Sequence, residues 1–225
     1  MKATIFQRLF FVITLVTAVG CSSPEPNVNP EFAEYIEMYS ESVISKSDVI
    51  VIRLAKQVVD SVQVYKKIEK DLISFSPNVE GELYWVDERT LEFKPSEWLE
   101  SNREYAVTFV LGELTNVPSE LESFTFVVKT LKQDFDISSG KLVNYNDADL
   151  THKSYSAGVN FADVVREDEV QKVLRATQDG KELPVSWTKP NGKVAYFTVD
   201  SIERKKERSV VMLHWEREVY GDENE

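Results

Sequence analysis

The amino-acid sequence predicts an all-β protein: two tandem antiparallel β-sandwich domains behind a signal peptide and a short linker. Three observations carry this. Short runs of alternating apolar residues recur, separated by turn signals, as expected of a sandwich. Sustained helical periodicity is scarce. The apolar pattern of the first half returns in the second at a nearly constant spacing.

The chain begins with a basic segment, Lys2 and Arg8, and then an apolar run over residues 9–19 broken only by Thr14 and Thr17. Ala18 and Gly20 lead to Cys21. This is the pattern of a secretory signal over residues 1–20, too short to span a bilayer as a helix. A small-residue stretch ending in Gly20-Cys21 resembles the lipobox of bacterial lipoproteins, with Ala18 where leucine is usual. Cys21 is therefore the expected lipidation site. A thiolate takes a diacylglyceryl group readily, and several acyl chains, at about 0.8 kcal/mol per buried CH₂, anchor a protein firmly. Residues 21–33, with Pro24 and Pro26, read as a polar tether.

The first sandwich is expected over residues 34–131. Residues 49–54 are β-branched, with Ile50, Ile52 and Leu54 on one face. Strands follow near 72–75, 83–86, 91–93, 105–111 and 124–128. Ser76-Pro77-Asn78, Asp87-Glu88-Arg89 and Lys94-Pro95 separate them. Residues 58–70 mix acids and lysines, but Val58, Val59, Val62 and Val64 argue for strand there. Ser96 after Pro95 is placed to cap a single helical turn, and residues 201–204 hold the equivalent place later.

The second sandwich is expected over residues 132–225. Tyr155, Ala157, Val159 and Phe161 alternate, as do Leu183, Val185 and Trp187. Asp179-Gly180 and Asn191-Gly192 are hairpin signals. Strands resume at 194–199 and 211–215. Phe93 overlies Phe197, Trp98 overlies Ile202, Val107 overlies Val211, Phe109 overlies Leu213 and Leu111 overlies Trp215, all at an offset of 104; Trp85 overlies Trp187 at 102. The boundary falls near residues 130–135, where Leu131-Lys132-Gln133-Asp134 interrupts the apolar pattern. An exposed linker there is expected to be an early site of proteolysis.

The functional inventory is sparse. The formal charge is −12, and the chain without residues 1–20 holds 24 basic against 38 acidic residues. That balance disfavours nucleic acid and anionic headgroups. The single cysteine allows no intrachain disulfide. His152 and His214 have no metal-ligand spacing, and His214 reads as a rim residue rather than a general base. Asp147 and Asp149 faintly resemble calcium ligands, but the glycine and distal glutamate of the loop are missing. Glu167-Asp168-Glu169 reads as a solvated turn. Trp85 and Trp187 read as core rather than as ligand platforms. The sequence thus predicts no catalytic residue, no cofactor and no metal.

Several stretches carry a family resemblance. They are Ile73-Ser74-Phe75-Ser76-Pro77, Leu83-Tyr84-Trp85, Leu91-Glu92-Phe93-Lys94-Pro95 and residues 99–109. Val159-Asn160-Phe161-Ala162-Asp163, Gly180-Lys181-Glu182-Leu183 through Trp187, Ile202-Glu203-Arg204 and residues 211–215 extend it. Together they resemble the amino-terminal region, the first two macroglobulin domains, of bacterial alpha-2-macroglobulin-like lipoproteins. The resemblance implies Ig-like, macroglobulin-type sandwiches and a scaffold portion of a protease inhibitor. The Cys-Gly-Glu-Gln thioester motif of such inhibitors is not present.

The expected function is a lipid-anchored, non-catalytic stalk. Its expected partners are the membrane, through the lipid on Cys21, and later domains of the same protein, with a protease engaged only indirectly. Ser22 and Ser23 after the cysteine resemble lipoproteins sent to the outer membrane, facing the periplasm. The alternative is a generic Ig-like envelope lipoprotein for adhesion or for binding glycans or envelope polymers.

Overall fold

Alternation along the chain becomes strand pairing through most of its length. The structure, a computed structural model, describes residues 29–40, 42–60, 64–146 and 148–216. The expected signal segment and Cys21 lie outside the described residues.

The first half contributes β1 (Ile36–Tyr39), β2 (Ser42–Ile44), β3 (Ile50–Leu54), β4 (Ile73–Ser76), β5 (Gly81–Trp85), β6 (Thr90–Pro95), β7 (Glu104–Val110) and β8 (Ser123–Thr130). One sheet has the order β1-β3-β6-β5 and the facing sheet β2-β8-β7-β4. All pairs are antiparallel except β2 with β8. The period of two sends Ile50, Ile52 and Leu54 inward, where they meet Val107, Phe109 and Phe126 from the other sheet. Each such side chain contributes about 1.5–3 kcal/mol when fully buried. Phe32, in a 3-10 turn over Pro30–Glu34, is buried in this core although composition places it in the tether.

The second half contributes β9 (Phe135–Ile137), β10 (Lys141–Asn146), β11 (Asp149–Phe161), the short helix α1 (Glu167–Val170), β12 (Leu174–Gln178), β13 (Lys181–Leu183), β14 (Val185–Trp187), β15 (Val194–Glu203) and β16 (Val211–Trp215). The order is β10-β11-β15-β14, with β9 also on β11, facing β13-β12-β16. Phe161, Val159, Val173, Ala195, Phe197 and Val199 fill a second, separate core. Asp179 and Gly180, at φ 47° and 83°, form the tight hairpin turn between β12 and β13.

The main departures from expectation are local. Residues 58–70 form no strand among those described. Val58 and Val59 donate to the Glu88 carbonyl, and Ile68 donates to the Leu83 carbonyl. Irregular contacts with residues of β5 and the turn after it thus take up these N–H groups, and β-branched content did not decide it. No helical turn follows Pro95, and residues 201–203 belong to β15. The interdomain linker is not loose: Leu131 N donates to the Ile44 carbonyl, and Gln133 is buried. Among the described residues no helix is long and apolar enough to cross a membrane.

Candidate functional site

A densely bonded polar cluster joins the two halves. The turn between β2 and β3 presents Ser45 and Lys46 to the corner after β11, where Asp163 is fully buried. One Asp163 carboxylate oxygen accepts from Ser45 Oγ (2.6 Å) and from the backbone N–H of Val164 (2.8 Å). The other accepts from the Lys46 N–H at 2.8 Å. A buried carboxylate with three donors meets the requirement that buried charge be hydrogen-bonded.

Gln133, from the linker, closes the cluster. Its Oε1 accepts from the Asp163 N–H at 2.8 Å, and its Nε2 donates to the carbonyls of Asp163 and Val164 at 3.2 and 3.3 Å. The Lys46 ammonium reaches past the cluster to Glu169 of α1, 3.0 Å from both carboxylate oxygens. Glu169 also accepts from the Arg166 N–H at 3.0 Å, so it caps its own helix while binding Lys46. Trp98 sits beside this pair, with the Lys46 ammonium 5.3 Å and the Arg166 guanidinium 4.6 Å from its ring centroid. Arg166 further donates to Glu97 at 3.3 Å. Cations over an indole add about 0.5–1 kcal/mol each at exposed sites.

Sequence reasoning missed this cluster. Glu169 is no solvated turn residue but the acid that receives Lys46. Trp98, overlaid on the buried Ile202, is 37% exposed and serves the junction instead. The only signals were a lysine in a tight polar turn and an aspartate closing a strand.

The other candidates lie apart. Cys21 and Asp147 fall outside the described residues. His214 lies in β16 with Nε2 3.1 Å from Thr177 Oγ1 of β12. His152 lies in β11, its Nδ1 3.0 Å from Thr151 Oγ1. The two histidines are not brought together. Among the described residues, no group of three His, Cys, Asp or Glu side chains could hold a metal ion. Trp85 is buried in the first core, and Trp187 packs on Phe197 in the second at 5.4 Å. The indole N–H of Trp187 is buried with no partner.

A separate cleft of about 530 Å³ opens between the sheets of the second sandwich. Leu142 of β10, Tyr155 of β11, Ile202 of β15, and Val211 and Leu213 of β16 line it, and Lys153 and Arg204 add positive charge. Its size is that of ligand-sized clefts. The loop below it is clamped by Asp179, whose carboxylate accepts from Lys205 Nζ (2.6 Å), Ser209 Oγ (2.9 Å) and the Val210 N–H (3.2 Å). The Lys205 hydrogen bond, helped by the other two donors, lowers the Asp179 pKa to about 2.

Residues 27–115 match the family described as bacterial Ig domain. The first half of the chain thus carries a bacterial Ig-like domain. No curated protein matches the chain. Solved structures with a likeness to it include an L,D-transpeptidase from Mycobacterium tuberculosis H37Rv, at 10% identity and a TM-score of 0.31, covering 69% of this chain. The chain spans 59% of the length of that protein. Another is L,D-transpeptidase 3 from Mycobacterium tuberculosis, at 10% identity and a TM-score of 0.29, covering 72% of this chain and 74% of that one.

Proposed function

We propose that this chain is a non-catalytic scaffold of the bacterial cell envelope, held to the membrane by lipid on Cys21, in which two sandwiches form one stiff stalk. The observation that carries it is the buried junction of Ser45, Lys46, Gln133, Asp163 and Glu169. Domains meant to swing independently meet through small, wet contacts. Here a fully buried carboxylate and the linker itself are built into the contact, which favours a fixed angle between the halves.

The bacterial Ig-like domain favours the broad class, an Ig-like envelope protein of scaffold or adhesive type. The finer assignment, a stalk for an alpha-2-macroglobulin-like protease inhibitor facing the periplasm from the outer membrane, is supported by the sequence resemblance. In that assignment a protease is met only through later domains of the same protein.

Two measurements test the proposal. Metabolic labelling with a fatty acid is expected to mark the wild type and not Cys21→Ala; label persisting in the variant removes the anchor. Spin labels placed one in each sandwich are expected to give a single narrow distance distribution. A broad distribution in the wild type removes the stiff stalk.

A further inference from the structure

Paired residues of neighbouring strands share one face of a sheet. In β11, β15 and β14 the inward set is apolar: Val159, Phe197 and Trp187 belong to or pack on the second core. The outward set is of another kind. Ser156 pairs with Thr198, Thr198 with Ser186, and Gly158 with Tyr196. Ser138 and Thr188 flank that last pair, since Ser138 N–H donates to the Gly158 carbonyl and Thr188 N–H to the Tyr196 carbonyl. β16, the last strand described, lies in the facing sheet.

Tyr196 is 58% exposed, yet its ring does not stand free of the sheet. A Cβ built on Gly158 would come within 3.0 and 3.2 Å of two ring carbons and 2.7 Å of Ser138 Oγ. The ring therefore leans over β11 into space that a glycine leaves, while more than half of the residue stays open to water. Hydroxyls surround it at one or two strand spacings, about 5–10 Å. Ser156 Oγ and Thr198 Oγ1 share one hydrogen bond at 2.9 Å, and Thr188 Oγ1 accepts from the Tyr196 N–H at 3.1 Å. A hydroxyl donates once and accepts twice, so each keeps capacity for a further partner.

The first sandwich shows that the fold does not require such a face. At the offset of 104 that lays Phe93 over Phe197, Glu92 stands at the place of Tyr196 and Lys94 at that of Thr198. Glu92 pairs with Val51 of β3, where Tyr196 pairs with Gly158. Ion pairs occupy that first face, Arg53 with Glu37 at 3.4 Å and Lys67 with Glu82 at 3.1 Å. In the second sandwich charge enters at the margin, from Asp136 and Lys141 on the flanking strands and from Asp200, which accepts from Ser154 Oγ at 2.7 Å.

We propose that this face binds a neutral polysaccharide of equatorially linked pyranoses, with one sugar stacked on Tyr196 and its neighbours held by the hydroxyls beside the ring. Such a chain is a flat ribbon. Its faces present C–H groups and its edges hydroxyls, which match an aromatic ring flanked by serines and threonines. Charge decides the class of polymer. A protein of net charge −12 repels an anionic one, and the hydroxyl-lined centre of the face gives a cationic one no carboxylate to pair with. A protein strand has no edge to join here, because β11 and β15 are each paired on both sides. The inference goes beyond the scaffold reading, which stands whether or not this face binds sugar.

The test is NMR titration of the purified protein with chitohexaose and cellohexaose, two neutral β-1,4-linked probes, and with a hyaluronan hexasaccharide as the anionic counterpart. Saturable shifts are expected for a neutral probe at residues 156–158, 186–188 and 196–198. Tyr196→Phe keeps the ring and is expected to bind within about threefold of the wild type, while Tyr196→Ala is expected to bind roughly tenfold more weakly. Tyr196 is exposed, so both variants are expected to keep the wild-type melting temperature, which separates lost binding from lost fold. No saturable shift with either neutral probe, shifts confined to another surface, undiminished affinity in Tyr196→Ala, or equal binding of the hyaluronan probe overturns the proposal.

Discussion

Lys46 of the first sandwich and Glu169 of the second hold each other across the domain junction, the ammonium 3.0 Å from both carboxylate oxygens. The lysine side chain is 6% exposed and the glutamate 24%. The pair is therefore shielded from water on one side only.

Breaking such a pair from one end is expected to cost more than the pair is worth, because a charge is left without its partner. Fully buried cases lose about 3–5 kcal/mol. Lys46→Met is expected to fall below that range, at about 2–3 kcal/mol, since Glu169 keeps some hydration. Adding Glu169→Leu is expected to recover part of the loss. Chemical denaturation of the wild type, both single variants and the double variant gives the coupling. Strict additivity would mean the two side chains do not interact.

Asp163→Ala is expected to release the linker. Ser45 Oγ and the N–H groups of Lys46 and Val164 lose their acceptor, at about 1–3 kcal/mol for each group left buried and unpaired. In the wild type, with Leu131 and Gln133 both bonded, residues 131–134 are expected to resist proteolysis, contrary to what the sequence suggests. In the variant they become an early cut. Mass spectrometry of timed digests distinguishes the two. An early cut at 131–134 in the wild type would show the linker to be loose already.

The contrast marks where sequence reasoning succeeds. Tyr155, Ala157, Val159 and Phe161 announce β11 because one face is buried and the next is not. Trp85 was legible as core for the same reason, and Trp187 packs against the second core while only partly buried. β2 was not legible: Ser42, Val43 and Ile44 are too few to show a period, and the strand exists through its parallel partner β8. The junction was hidden for a different reason. Lys46 and Asp163 stand 117 residues apart, and nothing local marks either as bonded. Gln133 looked like an interruption because its bonds go to backbone groups 30 and 31 residues away. The repeat offset was readable, but only the pairing order reveals that the described sheets differ, with β13 beside β12 and β9 beside β11 in the second half.

Asp179 gives a pH dependence whose sign is fixed. Its pKa falls from an ordinary 3.8 to about 2 because the folded chain binds the ionised form. The clamp on the loop at 205–210 is therefore fully present above the ordinary value and is lost as pH falls through about 2. Carboxyl-detected NMR titration is expected to find the Asp179 midpoint near 2 in the wild type. Lys205→Met is expected to raise it, since the largest cause of the shift is removed. An unchanged midpoint in the variant would assign the shift to Ser209 and the Val210 N–H instead.

The two matched tryptophans are expected to respond differently to substitution. Trp85 is 4% exposed and packs in the first core, so Trp85→Ala leaves a large cavity and is expected to cost about 3–5 kcal/mol. Trp187 is only partly buried, but its indole N–H is enclosed without a hydrogen-bond partner. Such a donor lost water on folding and gained nothing in exchange, a penalty of about 1–3 kcal/mol. Trp187→Phe keeps a ring against Phe197 and removes that donor. The smaller ring loses some contact, and the two effects oppose each other. Trp187→Phe is therefore expected to lie within about 1 kcal/mol of the wild type, while Trp187→Ala loses the packing as well. Thermal and urea unfolding of the four proteins measures this. A Trp187→Phe variant as damaged as Trp187→Ala would show that the indole N–H has a partner in solution, such as a bound water.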